Sequence, residues 1–354
     1  MLPTLGGGGT ERTFLNLAEG LCEAGYQVDI VLKKKIGDYI QQVPEGITLV
    51  DLNAPRMGAA LPGLVRYLRN FRPRALLTGL DLPNIVAVMA NIIAGRKTKI
   101  IISVRSVVSQ YRRSFLPHRS LEKALMGMIL PLADEIVAVS QQAARDFADY
   151  LQISSSRIRV IYNPTITPAL LEKAQQPVNH PWFEAGQPPL IMSAGRLSPV
   201  KGFSTLIKAF AHVHQRLPAR LMILGEGEQR QELEALIAHL GLQAEVSLPG
   251  FQQNPYAFMK HAAVFALSSL HDASPNVLIE AMACGCSIVT TNSPGGSAEL
   301  INYGEFGHVV PVGDEFLLAQ AIIEVIAGDT RKPAPEWLAQ FEYQRVIRQY
   351  LELL

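Results

Sequence analysis

The stretch HDASPNVLIEAMACGCSIVTTNSPGGSAEL at 271–300 sets one carboxylate at Asp272 and another at Glu280, with seven residues between them. An ionised carboxylate only accepts hydrogen bonds and can take two at once. A pair set around a loop and a helix therefore suits vicinal hydroxyls such as those of a ribose and a hexose. A turn former followed by an exposed helix residue has the same spacing. Further upstream, SAGRLSPVKGFS sets Arg196 and Lys201 five positions apart. Arg offers a planar fork and Lys a point charge, a combination that fits a diphosphate. In a transfer reaction the two cations would stabilise charge developing on a leaving nucleotide diphosphate. Either one alone reads equally as a solvated cation, the two together less readily beside Gly195 and Gly202.

These side chains need elements to position them. Ser274 followed by Pro275 reads as an N-cap with proline at the first helical position, and Gly285 closes a helix over 275–284. Asp272 then lies in the loop after a strand AVFALSS (263–269), and Glu280 projects from the second turn. The strand SIVTT (287–291) runs into Gly295 and Gly296 before a new helix near Ser297, which makes either an anion site of backbone amides or an ordinary glycine turn. Further strands are expected at LIMSAG (190–195), ARLMILG (219–225) and EVSLPG (245–250), with helices over 202–216 and 228–240.

The first half alternates in the same way. A helical face of Phe14, Leu15, Leu17, Ala18, Leu21 and Cys22 precedes strands at YQVDIVL, ITLVD (47–51), 74–78, KIIISV (99–104) and EIVAV (135–139), and Ser140 reads as the cap of QQAARDFADYL. The expected fold class is α/β: two doubly wound, Rossmann-like parallel-sheet domains with a ligand cleft between them. The expected boundaries are 1–165, a proline-rich linker at 166–188, 189–334, and a C-terminal helix over 335–354 that packs back on the first domain.

A chain of 354 residues, 48% hydrophobic and 18% charged, fits two folded domains rather than disorder. Its three cysteines, Cys22, Cys284 and Cys286, form no CxxC pair and suit a reducing compartment. MLPTLGGGGT lacks the features of a signal peptide, and the apolar region 75–95 is broken by Asp81, Pro83, Asn84 and Asn91, so a cytoplasmic protein is expected. Residues 1–170 carry 20 Lys and Arg against 13 Asp and Glu; the rest carry 12 against 18. A basic half points either to an anionic partner, such as a phospholipid surface or a phosphorylated acceptor, or to uneven surface charge. Two strings invite a dehydrogenase reading and fail it. GEGEQR at 225–230 lacks a third glycine, and GGGG at 6–9 has five residues before it.

GRLSPVKG, ILGEGEQRQELE, LPGFQQNPYAFM and D-x7-E-AMACG, in this order, resemble a retaining glycosyltransferase of family 4 with the GT-B fold, over nearly the whole chain. GGGGTERTFLNLAEGL is similar to that family's glycine loop and first helix, and ADEIVAVS…IRVIYNP to its domain-closing segment. Bacterial members that extend lipid-linked or cell-surface oligosaccharides are the nearest in character.

The resemblance implies roles. Arg196 and Lys201 would hold the donor diphosphate, Glu280 the nucleotide ribose, and Asp272 would face the transferred sugar. Backbone amides near Ser274 to Val277, a stretch that includes Pro275 and Asn276, would assist phosphate or sugar hydroxyls. Gly8 and Gly9 would line the cleft from the first domain, Gly195 and Gly225 would complete the donor loops, and Leu248 to Phe251 would meet the base. It also implies retention by front-face attack, no metal and no cofactor, with a nucleotide sugar, UDP-linked in preference to GDP-linked, as donor. The implied acceptor is a saccharide, polyprenyl-linked, at the cytoplasmic membrane face. A GT-B epimerase and a non-catalytic homologue that binds nucleotide or glycan are the rival readings.

Three departures stand out. The family's full first strand is nearly absent, Asp272 stands where the family has glutamate, and Arg105 stands where many relatives carry histidine. Arg105 suits an acceptor phosphate or a structural place. Next to it, Arg112 and Arg113 open a basic segment with apolar positions at Leu121, Leu125, Met128 and Leu132. That pattern suits either an anionic membrane, with Arg112 and Arg113 toward the acceptor, or a core-facing helix with solvated cations.

Overall fold

A computed structural model describes residues 1–6, 8–110 and 119–354, apart from the side chains of 110 and 119–122. Arg112 and Arg113 lie outside the described residues. The chain forms two compact units, Met1–Pro164 with Gln340–Leu354, and Thr165–Ala339.

The first unit contains β1 (Val28–Leu32), β2 (Ile47–Asp51), β3 (Ala75–Gly79), β4 (Lys99–Val104), β5 (Glu135–Ala138) and β6 (Ile158–Val160). All pairings are parallel, in two groups: β1 with β2, and β3-β4-β5-β6. Met1 and Leu2 stand between the groups. Leu2 bridges to Leu32 in parallel, its N–H donating to the Val31 carbonyl at 3.0 Å, and the Met1 nitrogen donates to Leu77 O at 2.6 Å. The helix Gly9–Glu23 buries Thr13, Phe14, Leu15, Leu17 and Ala18. Leu21 and Cys22 are only half-buried, because the apolar stripe is set by β1 and by the C-terminal helix rather than by the full periodic face. Ser140 caps Gln141–Leu151, its Oγ accepting from Ala143 N at 3.1 Å.

Residues 343–351 return to this unit as a helix. Tyr343, Val346, Ile347 and Tyr350 close over Leu17, Ile101, Val137 and Ile161. The strand residues under that helix are buried on both sheet faces, which is why they read as continuous apolar runs.

The second unit holds β7 (Leu190–Ala194), β8 (Arg220–Leu224), β9 (Val246–Ser247), β10 (Val264–Leu267), β11 (Ser287–Thr291) and β12 (His308–Val310). They form one parallel sheet in the order β12-β11-β10-β7-β8-β9. Its core joins Ile191, Leu221, Ile223, Val264, Ala266 and Val289 to the helices Phe203–His214 and Glu315–Ile326. Residues 166–188 pack with this unit. Pro168–Ala174 is helical, capped by Thr167, and Asn254 Nδ2 donates to Lys173 O at 2.9 Å. β12 was not foreseen; three residues, HVV, are too few to show a period.

Candidate active site

The strand order of the second unit reverses between β7 and β10, which are hydrogen-bonded neighbours whose chains continue to opposite sides. Loops leaving the carboxyl ends of two such strands diverge and leave a crevice, where open α/β sheets bind ligands. The loop after β7 carries Arg196 and Lys201; the loop after β10 carries Asp272.

The two loops are tied together there. Ser268 Oγ donates to the Lys201 carbonyl at 2.9 Å, and Leu270 N–H to the Val200 carbonyl at 2.8 Å. Lys201 Nζ and Asp272 Oδ2 form an ion pair at 2.5 Å, with side chains 22% and 16% exposed. Two charges at this separation in a half-buried setting attract by several kcal/mol before desolvation is subtracted, so each holds the other in place. Sequence reasoning gave them separate roles, and folding joins them across 71 positions. Arg196 is exposed, and its guanidinium makes no hydrogen bond or ion pair among the described residues.

The helix after Asp272 runs Asn276–Ala283. Pro275, not Ser274, occupies the cap position, and it supplies no side-chain cap to the helix. Proline's ring fixes φ but brings no acceptor oxygen, so the amides of the first turn gain nothing from their cap residue. Glu280 is half-buried in the second turn. Its charge, after the larger effect of burial, helps push the Cys284 thiol up to about 12. Burial first, then Cys284, raises Cys286 likewise to about 12. Both thiols stay protonated near neutrality, which leaves the chemistry of this region to oxygen and nitrogen groups.

The glycine turn, read from the sequence as either an anion site or an ordinary turn, packs one loop against another. The helix after it, Ser297–Leu300, has four residues and little dipole to offer an anion. Instead Asp272 and Gly295 form a parallel bridge, and Asp272 N–H donates to Pro294 O at 3.3 Å. A β-carbon at Gly295, whose φ is +135°, would run into the Asp272 carbonyl oxygen. Gly225 has the same kind of reason for being glycine: a β-carbon there would strike the carbonyl oxygen of Gly195. These glycines bring neighbouring loops into contact.

Beyond β8 and β9, Phe251 is 69% exposed. Leu248 is half-buried, and its carbonyl accepts from Arg230 Nη2 at 3.0 Å. Arg230 also grips Glu226 through Nε and Nη2 at 2.9 and 2.8 Å and Glu234 through Nη1 at 2.6 Å. Sequence reasoning passed over this clamp. Its signal was the four-residue spacing of Glu226, Arg230 and Glu234. At the opposite end of the sheet, where β12 begins, His308 Nδ1 and Nε2 lie 3.7 and 3.3 Å from Glu324 and Asp329, while Arg331 pairs with Asp329 at 3.1 Å.

In the first unit Gly8 caps Gly9–Glu23 without a side-chain hydrogen bond. Arg105, just past β4, donates through Nη2 to Asn163 Oδ1 at 2.9 Å and through Nε to Thr10 Oγ1 at 3.4 Å. Its Nη1 is buried with no hydrogen-bond partner among the described residues.

Comparison with known proteins agrees with this geometry. The family described as Glycosyltransferase Family 4 matches residues 7–167, and Glycosyl transferases group 1 matches 178–340. Over 341 residues the chain is 30% identical to the N-acetylgalactosamine-N,N'-diacetylbacillosaminyl-diphospho-undecaprenol 4-alpha-N-acetylgalactosaminyltransferase of Campylobacter jejuni, covering 94% of this chain and 90% of that one. Among solved structures, a glycosyltransferase from Rickettsia africae superposes with a TM-score of 0.80 at 18% identity over 99% and 96% of the two chains. HepE of Anabaena, solved in complex with UDP, gives 0.78 at 20% identity over 99% and 98%. The fold is GT-B, and the protein is a glycosyltransferase. Within that class the chain belongs to glycosyltransferase family 4. Among the described residues no helix is long and apolar enough to cross a membrane.

Proposed function

We propose that the protein transfers a sugar from a UDP-linked donor to a polyprenyl-linked saccharide, with retention of configuration and without a metal. The observation that carries this reading is the cationic crevice at the strand-order reversal, where Lys201 is already fixed against Asp272 and Arg196 stands exposed beside it. Support for the two substrates comes from the UDP complex of the Anabaena structure and from the lipid-diphosphate acceptor in the name of the Campylobacter relative.

In this reading Arg196 and Lys201 bind the donor diphosphate, Asp272 orients both Lys201 and the hydroxyls of the transferred sugar, and Glu280 accepts from the ribose. Amides of Ser274, Asn276 and Val277 reach the phosphates or sugar. Gly8 and Gly9, at the start of the first unit's opening helix, belong to the donor-binding set. Exposed Phe251 offers a face to the base, and the Arg230 clamp keeps its loop in place. The anomeric carbon–oxygen bond to the diphosphate breaks and the bond to the acceptor oxygen forms on the same face. The acceptor proton passes to the departing phosphate oxygen, so the protein supplies charge stabilisation rather than a base.

Arg105 takes an acceptor phosphate. A half-buried guanidinium with its Nη1 unpartnered among the described residues, its hydrogen bonds going to neutral oxygens and its plane over the Phe14 ring, would gain from an incoming oxyanion. Glu11 and Tyr350 are the titratable groups whose charge acts on it, and neither makes an ion pair with it.

Thermal unfolding against UDP-, GDP-, ADP- and dTDP-sugars tests the donor site. UDP-sugars should raise the midpoint by several degrees, and Arg196→Ala and Glu280→Ala should each abolish the rise. A folded protein that responds to none of the four nucleotides would remove the reading.

A further inference from the structure

A cavity of the second unit has no part in the chemistry so far. It measures about 650 Å³ and lies where β10, β11 and β12 end, lined by Leu270, Asn292, Pro294, Val310, Pro311 and Val312. Leu270 belongs to the loop that carries Asp272 two residues later. The loops around the cavity are fixed against their neighbours. Asp272 N–H donates to Pro294 O at 3.3 Å, Leu270 N–H to Val200 O at 2.8 Å, and Asn292 N–H to Val310 O at 2.7 Å. A group held in the cavity therefore lies beside the loop whose carboxylate is assigned to the transferred sugar.

The core does not account for this lining. Val310 is buried in β12, but Pro311 and Val312 follow the strand and are exposed, as is Leu270; the exposure of Val312 is 39% and that of Leu270 36%. Aliphatic side chains and two prolines, which have no N–H to offer, make walls that hydrogen-bond little. Among the described residues no charged or aromatic side chain lines the cavity. Asn292 is the exception to the apolar character, and its exposed side-chain amide makes no hydrogen bond among the described residues. A carboxamide offers one acceptor oxygen and two N–H donors.

These walls select their ligand by exclusion and by fit. Sugar hydroxyls set against them would give up water without replacement, and a phosphate would meet no cation. An aliphatic group that carries one amide suffers neither loss. Its carbon atoms leave water against Leu270 and Val312, and its amide pairs with that of Asn292. We infer that the cavity takes an N-acyl substituent of the transferred sugar, which makes the donor a UDP-linked N-acylhexosamine rather than a plain hexose. The inference rests on the donor reading above, in which the transferred sugar meets Asp272. The size of the cavity adds a consequence: an acetyl group fills only a small part of it, so longer acyl chains enter as well.

Calorimetric titration of the full chain with UDP, UDP-glucose, UDP-galactose and the 2-acetamido and 2-butanamido forms of both sugars tests this. For the epimer that binds more tightly, the 2-acetamido form should bind roughly twentyfold better than the 2-hydroxy form, from one buried methyl and one amide hydrogen bond. The 2-butanamido form should stay within about threefold of the 2-acetamido form, because room remains for it. Asn292→Ala should cut the preference by about fivefold, the share of one hydrogen bond. Val312→Trp, which fills the cavity, should abolish the preference and exclude the butanamide. Both variants should bind UDP alone as the parent does, and both should melt with the parent, since the two positions are exposed. Equal affinity of the parent for acetamido and hydroxy sugars overturns the inference and leaves the donor site standing. A preference that either variant leaves intact overturns it too, because the acyl group would then be held elsewhere, and so does rejection of the butanamide by the parent. Failure of UDP itself to bind the folded chain defeats the donor reading, and the inference with it.

Discussion

At the scale of single residues, the ion pair of Lys201 with Asp272 is the contact on which the proposed chemistry turns. If Lys201 stabilises charge on the leaving diphosphate, Lys201→Ala should lower kcat by about a hundredfold or more. Asp272→Glu keeps the charge with one more methylene and should stay within about tenfold of the parent. Steady-state transfer assays read both, and equal losses in the two variants would mean the crevice tolerates no change of reach at all. Arg105 gives a second test. Because Arg105 makes no ion pair among the described residues, Arg105→Met should leave the melting midpoint within a few degrees of the parent. It should raise the acceptor KM by about tenfold while leaving the UDP-sugar shift intact. A large drop in midpoint would assign Arg105 a structural role instead.

At the scale of elements, the site is held by contacts between loops. Gly295 carries a positive φ and lies against the Asp272 carbonyl, so its turn, the β10 loop and the β7 loop form one connected set. Gly295→Ala should cost about 2 kcal/mol or more through strain and clash, lower the melting midpoint by several degrees, and reduce turnover more than donor affinity because Asp272 shifts. Unchanged stability would show that the turn yields. Strands β7, β8 and β10 were legible because they are apolar runs buried on both faces. The cap at Pro275 was misread because Ser-Pro is equally a cap followed by N1 and a loop residue followed by the cap, and only backbone dihedrals separate the two. The Arg230 clamp was legible in its spacing and was missed.

At the scale of the whole molecule, the chain returns to where it began. Residues 340–354 belong with the first unit, and Val346 is fully buried over Leu17, Ile101 and Val137. Val346→Ala should cost about 2 kcal/mol and Val346→Asp clearly more, read as a lower denaturant midpoint for the first unit, with the second unit's UDP response preserved. Simultaneous loss of both would mean the units unfold as one.

The sequence by itself determined the α/β alternation, the parallel sheets, the family and the identities of the cations and carboxylates, because each is written in patterns within about ten residues or in a familiar motif order. Tertiary structure alone decided that Lys201 meets Asp272, that Gly295 exists to let Asp272 sit close, that Arg105 lies half-buried with no ion-pair partner among the described residues, and that Leu270, Asn292 and Val312 line one cavity. The physical reason is the same for all four. Each depends on which strands neighbour one another and how loops from distant segments pack, and strand order is set by the burial of the entire sheet rather than by any local period.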